Sequence, residues 1–458
     1  MKRHVVVGRY GPEDRTSIQV DGDEQLTELQ LIIGDRTLDH GIGAALTSLK
    51  ALGVHPSEMG IDLAVVAAHV HAADTRISRA HESQDSWTRE VRLVIPVHDP
   101  DTWSAATGTL TTLLNFLTGD RWALQFRGRS ERFATLVPAN AASLLPPPFT
   151  ALSLFSGGLD SLIGAIDLLE RQAEPLLVSH FGESATSDAQ NKLFNFLKKR
   201  YPNRPFDRLR VDMVFPVGLV KDVESENSTR GRSFLFIALG ALAGTGLADG
   251  FTLRVPENGL IALNVPLDPL RLGSNSTRTT HPFYLARWND LLVQLGVAGR
   301  VENPYWSMTK GEMVRECESE AALREIASSS LSCAHPASAR WQGLQGRGIE
   351  HCGYCLPCLI RRAALEHAWG RGGDNTSYTE ADLHAHVLDT SQSIGQQVRS
   401  FQYAIARIQA NPDIARLLVH KPGSLVDVMA DEEQWAAVYR RGLSEVGDLI
   451  AGVRTAPA

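Results

Sequence analysis

Long apolar runs are missing from this chain. No stretch reaches the roughly 20 residues that span a bilayer. The N-terminus, Met1-Lys2-Arg3-His4 followed by only Val5 to Val7, lacks the apolar region of a secretory signal. No membrane partner is expected, and the sequence points to a cytoplasmic protein. Positive charge is also scarce. The 45 lysines and arginines face 52 acidic residues, a net charge of -7, so no overall field draws in DNA or RNA and nucleic acid is not an expected partner. Cysteine is rare and odd in number, five, which in a reducing compartment favours metal ligation over disulfides. A lysine-bearing phosphate loop, GxxxxGKS or GxxxxGKT, is absent from the chain's Ser-Gly-Gly turn, which argues against cleavage at a γ-phosphate. What remains is a globular composition, 43% hydrophobic and 21% charged over 458 residues, long enough for roughly three domains.

The chain is organised around Leu152-Ser-Leu-Phe155 running into Ser156-Gly157-Gly158-Leu159-Asp160-Ser161 and on to Leu169. An apolar run of strand length, a Ser-Gly-Gly turn and then helical spacing predict a parallel strand handing over to a helix. Without Cβ atoms, Gly157 and Gly158 let backbone N–H groups point inward, and the positive end of the helix dipole adds to them, so the turn reads as a phosphate seat. Ser156 and Ser161 can donate hydroxyls, and Asp160 can help hold a divalent cation, Mg2+, that bridges phosphates.

Taken in order, residues 1–137 read as an accessory α+β domain. Candidate strands cover residues 4–7, 29–33, 63–70 and 91–97; a helix carries Trp103, Ala106, Leu110, Leu113, Leu114 and Leu117, and Trp122, Leu124 and Phe126 alternate as a half-buried strand. The polar stretch from Asp74 through Arg76, Arg79, His81 and Asp85 to Trp87 reads as a solvated loop. Residues 138–148, closing on three prolines, read as a linker. Residues 149–379 then alternate strands (152–155, 175–181, 209–215, 251–255) with helices (161–171, 189–200, 232–248). That order predicts βαβ units in a doubly wound parallel sheet, with ligands beyond the carboxyl ends of the strands. His180 to Gly182 and Pro256 to Gly259 lie at such ends beside the Ser156 turn. Residues 380–458 read as a helical tail whose Ile394, Val398, Phe401, Ile405 and Ile408 share a buried face, a packing or partner element without chemistry.

Further motifs carry chemistry. Arg230 and Arg232 stand just before an apolar helix, where the dipole disfavours cations unless a phosphate shares the site. Glu257 and Asn258 follow a predicted strand. The polar loop holding Arg271, Ser276, Thr277, Arg278 and His281 reads as the wall of a pocket for a polar, anionic ligand. Thr309 and Glu312 fit a capping box that leaves Lys310 free to reach a phosphate. Cys333, Cys352, Cys355 and Cys358 can supply four thiolates to a tetrahedral Zn2+, a closed and therefore structural site, with His335 and His351 as substitutes. Cys317 stands apart, on a predicted helix, as a buried thiol.

Together these residues resemble the 7-cyano-7-deazaguanine synthase family (QueC) of the PP-loop ATP pyrophosphatases. The similarity spans roughly residues 150–370. It covers Ser156-Gly-Gly-Leu-Asp-Ser161, Arg230 ahead of the Phe-Leu-Phe-Ile-Ala helix, Lys310-Gly-Glu-Met, and Ser332-Cys333 with Cys352-Gly-Tyr-Cys355-Leu-Pro-Cys358-Leu-Ile-Arg361. The resemblance implies a PP-loop, adenine nucleotide α-hydrolase-like fold with ATP on the loop and zinc on the cysteines. It also implies adenylation of a 7-carboxy-7-deazaguanine carboxylate, with pyrophosphate released and an amine then displacing AMP. Asp160, Arg230 and Lys310 are the catalytic candidates, and His180 joins the loop as a nucleotide contact. The added N-terminal domain and the tail make the chain look like the QueC-like component of Qat anti-phage systems. There a partner protein from the same operon would offer the amine. An ordinary synthase using ammonia, a tRNA-modifying thiolase of the same class and a non-catalytic nucleotide sensor remain the competing expectations.

Overall fold

The computed structural model describes residues 3–83, 85–137, 147–182, 184–226, 230–247, 250–268, 278–336 and 350–457. Most of the proline-rich linker, with residues 138–146, therefore lies outside the described residues, as do Arg271, Ser276 and Thr277.

The first sheet holds β1 (Arg3–Arg9), β2 (Glu24–Gln30), β3 (Glu90–Val97) and β4 (Arg121–Gly128) in the order β2-β1-β3-β4. Every pairing is parallel, so the N-terminal unit is α/β and not the expected α+β. The expected strand at residues 29–33 is broken: β2 ends at Gln30, and Ile32–Ile33 turns back on Thr37–Leu38 as a short antiparallel ribbon. The expected strand at residues 63–70 is instead the middle of the Glu58–Arg76 helix, started by Ser57 Oγ accepting from the Gly60 amide at 3.2 Å. This helix is buried along nearly its whole length, between β3 and the Arg232–Gly244 helix. A helix covered on both sides needs no polar stripe, and its apolar run then cannot be told from a buried strand by periodicity.

The second sheet holds β5 (Ala151–Leu154), β6 (Pro175–His180), β7 (Asp207–Val211), β8 (Phe251–Arg254) and β9 (Gly299–Glu302), all parallel, in the order β9-β8-β5-β6-β7. The chain steps outward from β5 through β6 to β7 and then returns to the other flank of β5 with β8. The doubly wound parallel sheet is therefore present, and its switch point lies between the carboxyl ends of β5 and β8, where open α/β sheets bind ligands.

The two sheets share one apolar core, which runs from Val6 and Leu93 through the Glu58–Arg76 helix to Leu152, Leu242 and Trp288. Leu63, Val65, Val66 and Val70 are each fully buried in it, and exposing any one of them costs about 1.5–3 kcal/mol. Charges join the seam. Arg89 Nη2 meets Asp74 Oδ1 at 2.9 Å and Asp120 Oδ2 at 2.6 Å, and Arg79 Nη2 reaches the same two oxygens at 2.9 and 2.6 Å. Asp74 Oδ2 also accepts from the Gly231 amide of the second unit at 2.7 Å. The stretch expected to be a solvated loop is thus half interior: Asp74 and Arg79 are buried, while His81 and Asp85 stay in solvent. The C-terminal region is helical as expected: Ser393–Ala410 packs on Glu432–Leu449, which packs on the Leu356–Trp369 helix, in a second core that includes Cys352, Cys355 and Cys358. Among the described residues no helix is long and apolar enough to cross a membrane.

Candidate functional site

β5 delivers the chain to Ser156, and the turn at Gly157 takes a left-handed φ of 88° that a side chain would resist. A Cβ at Gly157 would also stand 3.1 Å from Gln190 Cγ. The Leu159–Glu170 helix starts at once, with Gly158 as its N-cap. Hydroxyls fill the turn: the Gly158 amide donates to Ser156 Oγ and the Leu159 amide to Ser332 Oγ, both at 3.3 Å, while Ser161 Oγ–H bonds the Gly158 carbonyl at 3.0 Å. The amide bonds are long for N–H···O contacts.

Asp160, in the first turn of this helix, is nearly buried and faces the loop after β8. Lys310 Nζ stands 2.7 Å from its Oδ1. The Asn258 backbone and Nδ2 groups donate to its Oδ2 at 3.0 and 2.8 Å, and Nδ2 also reaches Glu257 Oε1 at 3.2 Å. Burial pushes the Asp160 carboxyl up, but the Lys310 ammonium and the hydrogen bonds outweigh it and hold Asp160 below the ordinary carboxylate value. Glu257 goes the opposite way, driven well above its ordinary value by burial and by the Asp160 charge beside it. Two carboxyls with opposed shifts and one ammonium therefore converge at the switch point. Such divergence marks functional sites more often than structural ones.

Lys310 is placed by the expected capping box, with the Glu312 amide donating to Thr309 Oγ1 at 3.0 Å and the Thr309 amide to Glu312 Oε2 at 2.8 Å. Asn258 caps the Gly259–Leu263 helix through Oδ1, which accepts from Ile261.

The four expected cysteines come together, their Sγ atoms all within 4.8 Å of one another. The pairs Cys333–Cys355 and Cys352–Cys358 lie at 3.9 Å, near the roughly 3.8 Å edge of a tetrahedron with 2.3 Å metal–sulfur bonds and far beyond disulfide length. Backbone amides of His335 and Cys352 donate to Cys333 Sγ at 3.2 Å, and that of Cys355 to Cys352 Sγ at 3.3 Å. The group can hold a metal ion such as zinc, and neither His335 nor His351 belongs to it. The His351 ring instead accepts from the Ser332 amide at 3.2 Å. The cysteine arm thereby lies over the Ser156–Gly158 turn, because the Leu331 amide donates to the Gly157 carbonyl at 2.8 Å and Ser332 meets Leu159. Cys317 is buried as expected, but it follows the Lys310–Arg315 helix instead of lying on it.

Other expected residues go elsewhere. Arg230 grips the N-terminal unit, its Nη1 donating to the Thr118 carbonyl at 3.0 Å and its guanidinium lying 3.6 Å from the Trp87 ring centroid. Burial and the nearby Arg79 charge lower it to about 10. Arg278 does the same two residues earlier on that helix, donating to the Phe116 carbonyl at 2.9 Å. Both arginines thus satisfy carbonyls at the C-terminal end of the Thr107–Thr118 helix, where cations are welcome. His281 caps the Pro282–Gln294 helix, its Nδ1 accepting from Phe283 at 3.2 Å. The His180 ring turns to His71 of the N-terminal unit, centroids 5.5 Å apart, and burial with the Arg232 charge drops it to about 3. Its link to the Ser156 turn is through its carbonyl, which accepts from Gln190 Nε2 at 3.1 Å, the same amide reaching the Ser156 carbonyl at 3.3 Å.

Sequence reasoning missed Gln190, Ser332 as a contact of the turn, and Glu445. Glu445 left one visible sign, an acid set on the apolar face of its helix among Gly442, Val446 and Leu449. No family model, no curated protein and no solved structure matches this chain.

Proposed function

We propose that the chain is an ATP-dependent ligase that adenylates a 7-carboxy-7-deazaguanine-type carboxylate, releases pyrophosphate, and passes the acyl group to an amine of a partner protein in anti-phage defence. The observation that supports it is the buried Asp160–Lys310 pair with Glu257, set in the first turn after a Ser-Gly-Gly bend at the switch point of a parallel sheet. A γ-phosphate enzyme would carry its lysine on the glycine loop; here it arrives from another segment.

On this reading the Gly158 and Leu159 amides and the Ser156, Ser161 and Ser332 hydroxyls hold the phosphates of ATP. Asp160 and Glu257 are hard oxygen donors that fit Mg2+, which supplies charge neutralisation between phosphates when bound. Lys310, cationic and nearly buried, counters the negative charge that grows on the leaving pyrophosphate in a site shielded from water. The substrate carboxylate oxygen bonds to the α-phosphorus while the α–β bridge breaks. The amine nitrogen then bonds to the acyl carbon, and AMP leaves with the former carboxylate oxygen. The zinc arm is structural and holds Ser332 over the turn.

The test is pyrophosphate release from ATP, dependent on the deazaguanine acid. Wild-type protein should release it, and Asp160→Asn should lower kcat by at least about a hundredfold, the scale of one well-placed electrostatic group. Equal rates in the two proteins would remove Asp160 from the reaction. Offering ammonia alone separates the neighbouring reading, because an ordinary synthase would then release the free nitrile.

A further inference from the structure

We propose that Glu445 of the Glu432–Leu449 helix is a positioning residue for Lys310, so that docking of this C-terminal helix sets the reach of the ammonium to Asp160. The inference rests on the reading of Lys310 as a working group of the site.

Glu445 is almost fully buried. Its Oε2 accepts from the Gly311 amide at 3.2 Å, and its Oε1 accepts from the Thr309 hydroxyl. The carboxylate therefore holds the residues on both sides of Lys310, at the start of a six-residue helix too short to fix its own orientation. Arg441, one turn earlier on the same helix, adds a second hold: its Nε donates to Glu312 Oε1 at 2.6 Å and its Nη2 to the Ser307 carbonyl at 2.8 Å. The seat continues to the other wall of the site. Trp435 packs against Trp306 with centroids 4.6 Å apart, and Val438 lies against Gly259, next to Asn258. One helix face thus touches both loops that meet at Asp160.

Gly311 shows how close the fit is. A Cβ there would stand 2.6 Å from Glu445 Oε1 and 2.8 Å from its Cδ. Because Gly311 is an ordinary helical position, alanine would favour the helix itself, and any loss on substitution reports the clash with Glu445 and nothing local.

The experiment reads Lys310 directly. Its amine, 6% exposed in its pair with Asp160, should be modified slowly by a small amine-reactive acylating reagent, with each lysine followed by peptide mass spectrometry and the exposed Lys199 as reference. In the folded protein, Glu445→Ala and Gly311→Ala should each speed Lys310 modification about tenfold, the scale of a lost hydrogen bond to a charged acceptor, and leave Lys199 unchanged. Glu445→Gln keeps a carbonyl oxygen for the Gly311 amide and should restore most of the protection. In the pyrophosphate assay the same two alanine variants should lower kcat about tenfold with KM for ATP little changed. Wild-type protection of Lys310 in both alanine variants overturns the proposal. If Lys310 responds but even wild-type protein releases no pyrophosphate, the positioning stands and the adenylation reading falls.

Discussion

Lys310 and Asp160 are worth most as a pair, since removing one partner of a buried ion pair costs about 3–5 kcal/mol whereas replacing both costs far less. Lys310→Met should therefore lower thermal stability more than the Lys310→Met, Asp160→Asn double variant does, and thermal melts of all four proteins close that cycle. Glu257 gives a test in pH. Its folded-state value lies well above the ordinary 4.5, so from pH 4.5 upward the folded protein binds more protons than the unfolded chain, and this residue's contribution falls as pH rises until Glu257 ionises in place. Melting temperature in magnesium-free buffer should accordingly drop in wild type relative to Glu257→Gln between pH 4.5 and 8; a constant difference would mean that Glu257 is an ordinary carboxylate. Asp160, Glu257, Asn258 and Lys310 each sit at a strand end or beneath a recognisable cap, which is why the sequence singled them out, and the fold brings the four together. Arg230 and Arg278, expected beside an anionic ligand, bond carbonyls of the Thr107–Thr118 helix instead. A cation in a polar loop looks the same in sequence whether its partner is a phosphate or the C-terminal carbonyls of a distant helix.

Among the elements, the cysteine arm and the Leu356–Trp369 helix act together. Arg361 of that helix is fully buried and donates to Ser330 Oγ at 2.8 Å and to the Ala327 carbonyl at 2.7 Å, fixing the strip that leads to Ser332 and Cys333. Cys355→Ser should lower metal content and melting temperature together, because binding free energy at a closed thiolate site contributes to folding; a metal-free protein with an unchanged melt would contradict this. Removing the metal with a chelator should also speed hydrogen exchange at the Leu331 and Leu159 amides, whose bonds join the arm to the glycine turn. The cysteine spacing made this element plain in the sequence, yet its contact with the Ser156 turn was not visible, since that depends on how residues 327–333 pack. The Glu58–Arg76 helix was lost for the opposite reason. Buried on every side, it shows no period, and its alanines pass for a strand's short apolar run.

At the scale of the molecule, the shared core makes the N-terminal unit part of the body that carries the site. Asp120→Ala would leave the fully buried Arg89 short of a partner and should destabilise the protein by about 3–5 kcal/mol, with both sheets melting in one transition as followed by tryptophan fluorescence and far-ultraviolet circular dichroism. Two separate transitions would show independent units. The sequence suggested a linker at the prolines; only the packing of Glu58–Arg76 on Arg232–Gly244 reveals the joint. The central claim, attack of a carboxylate on the α-phosphorus at the Asp160–Lys310 site, is tested most directly by the fate of an oxygen atom. The deazaguanine acid, its carboxylate labelled with heavy oxygen, is incubated with ATP, the protein and an amine acceptor, and the nucleotide product is weighed by mass spectrometry. The account predicts AMP carrying one labelled oxygen, with unlabelled pyrophosphate, in wild type, and about a hundredth of either product or less at equal times in Asp160→Asn. ADP with phosphate, or AMP free of label, would contradict it.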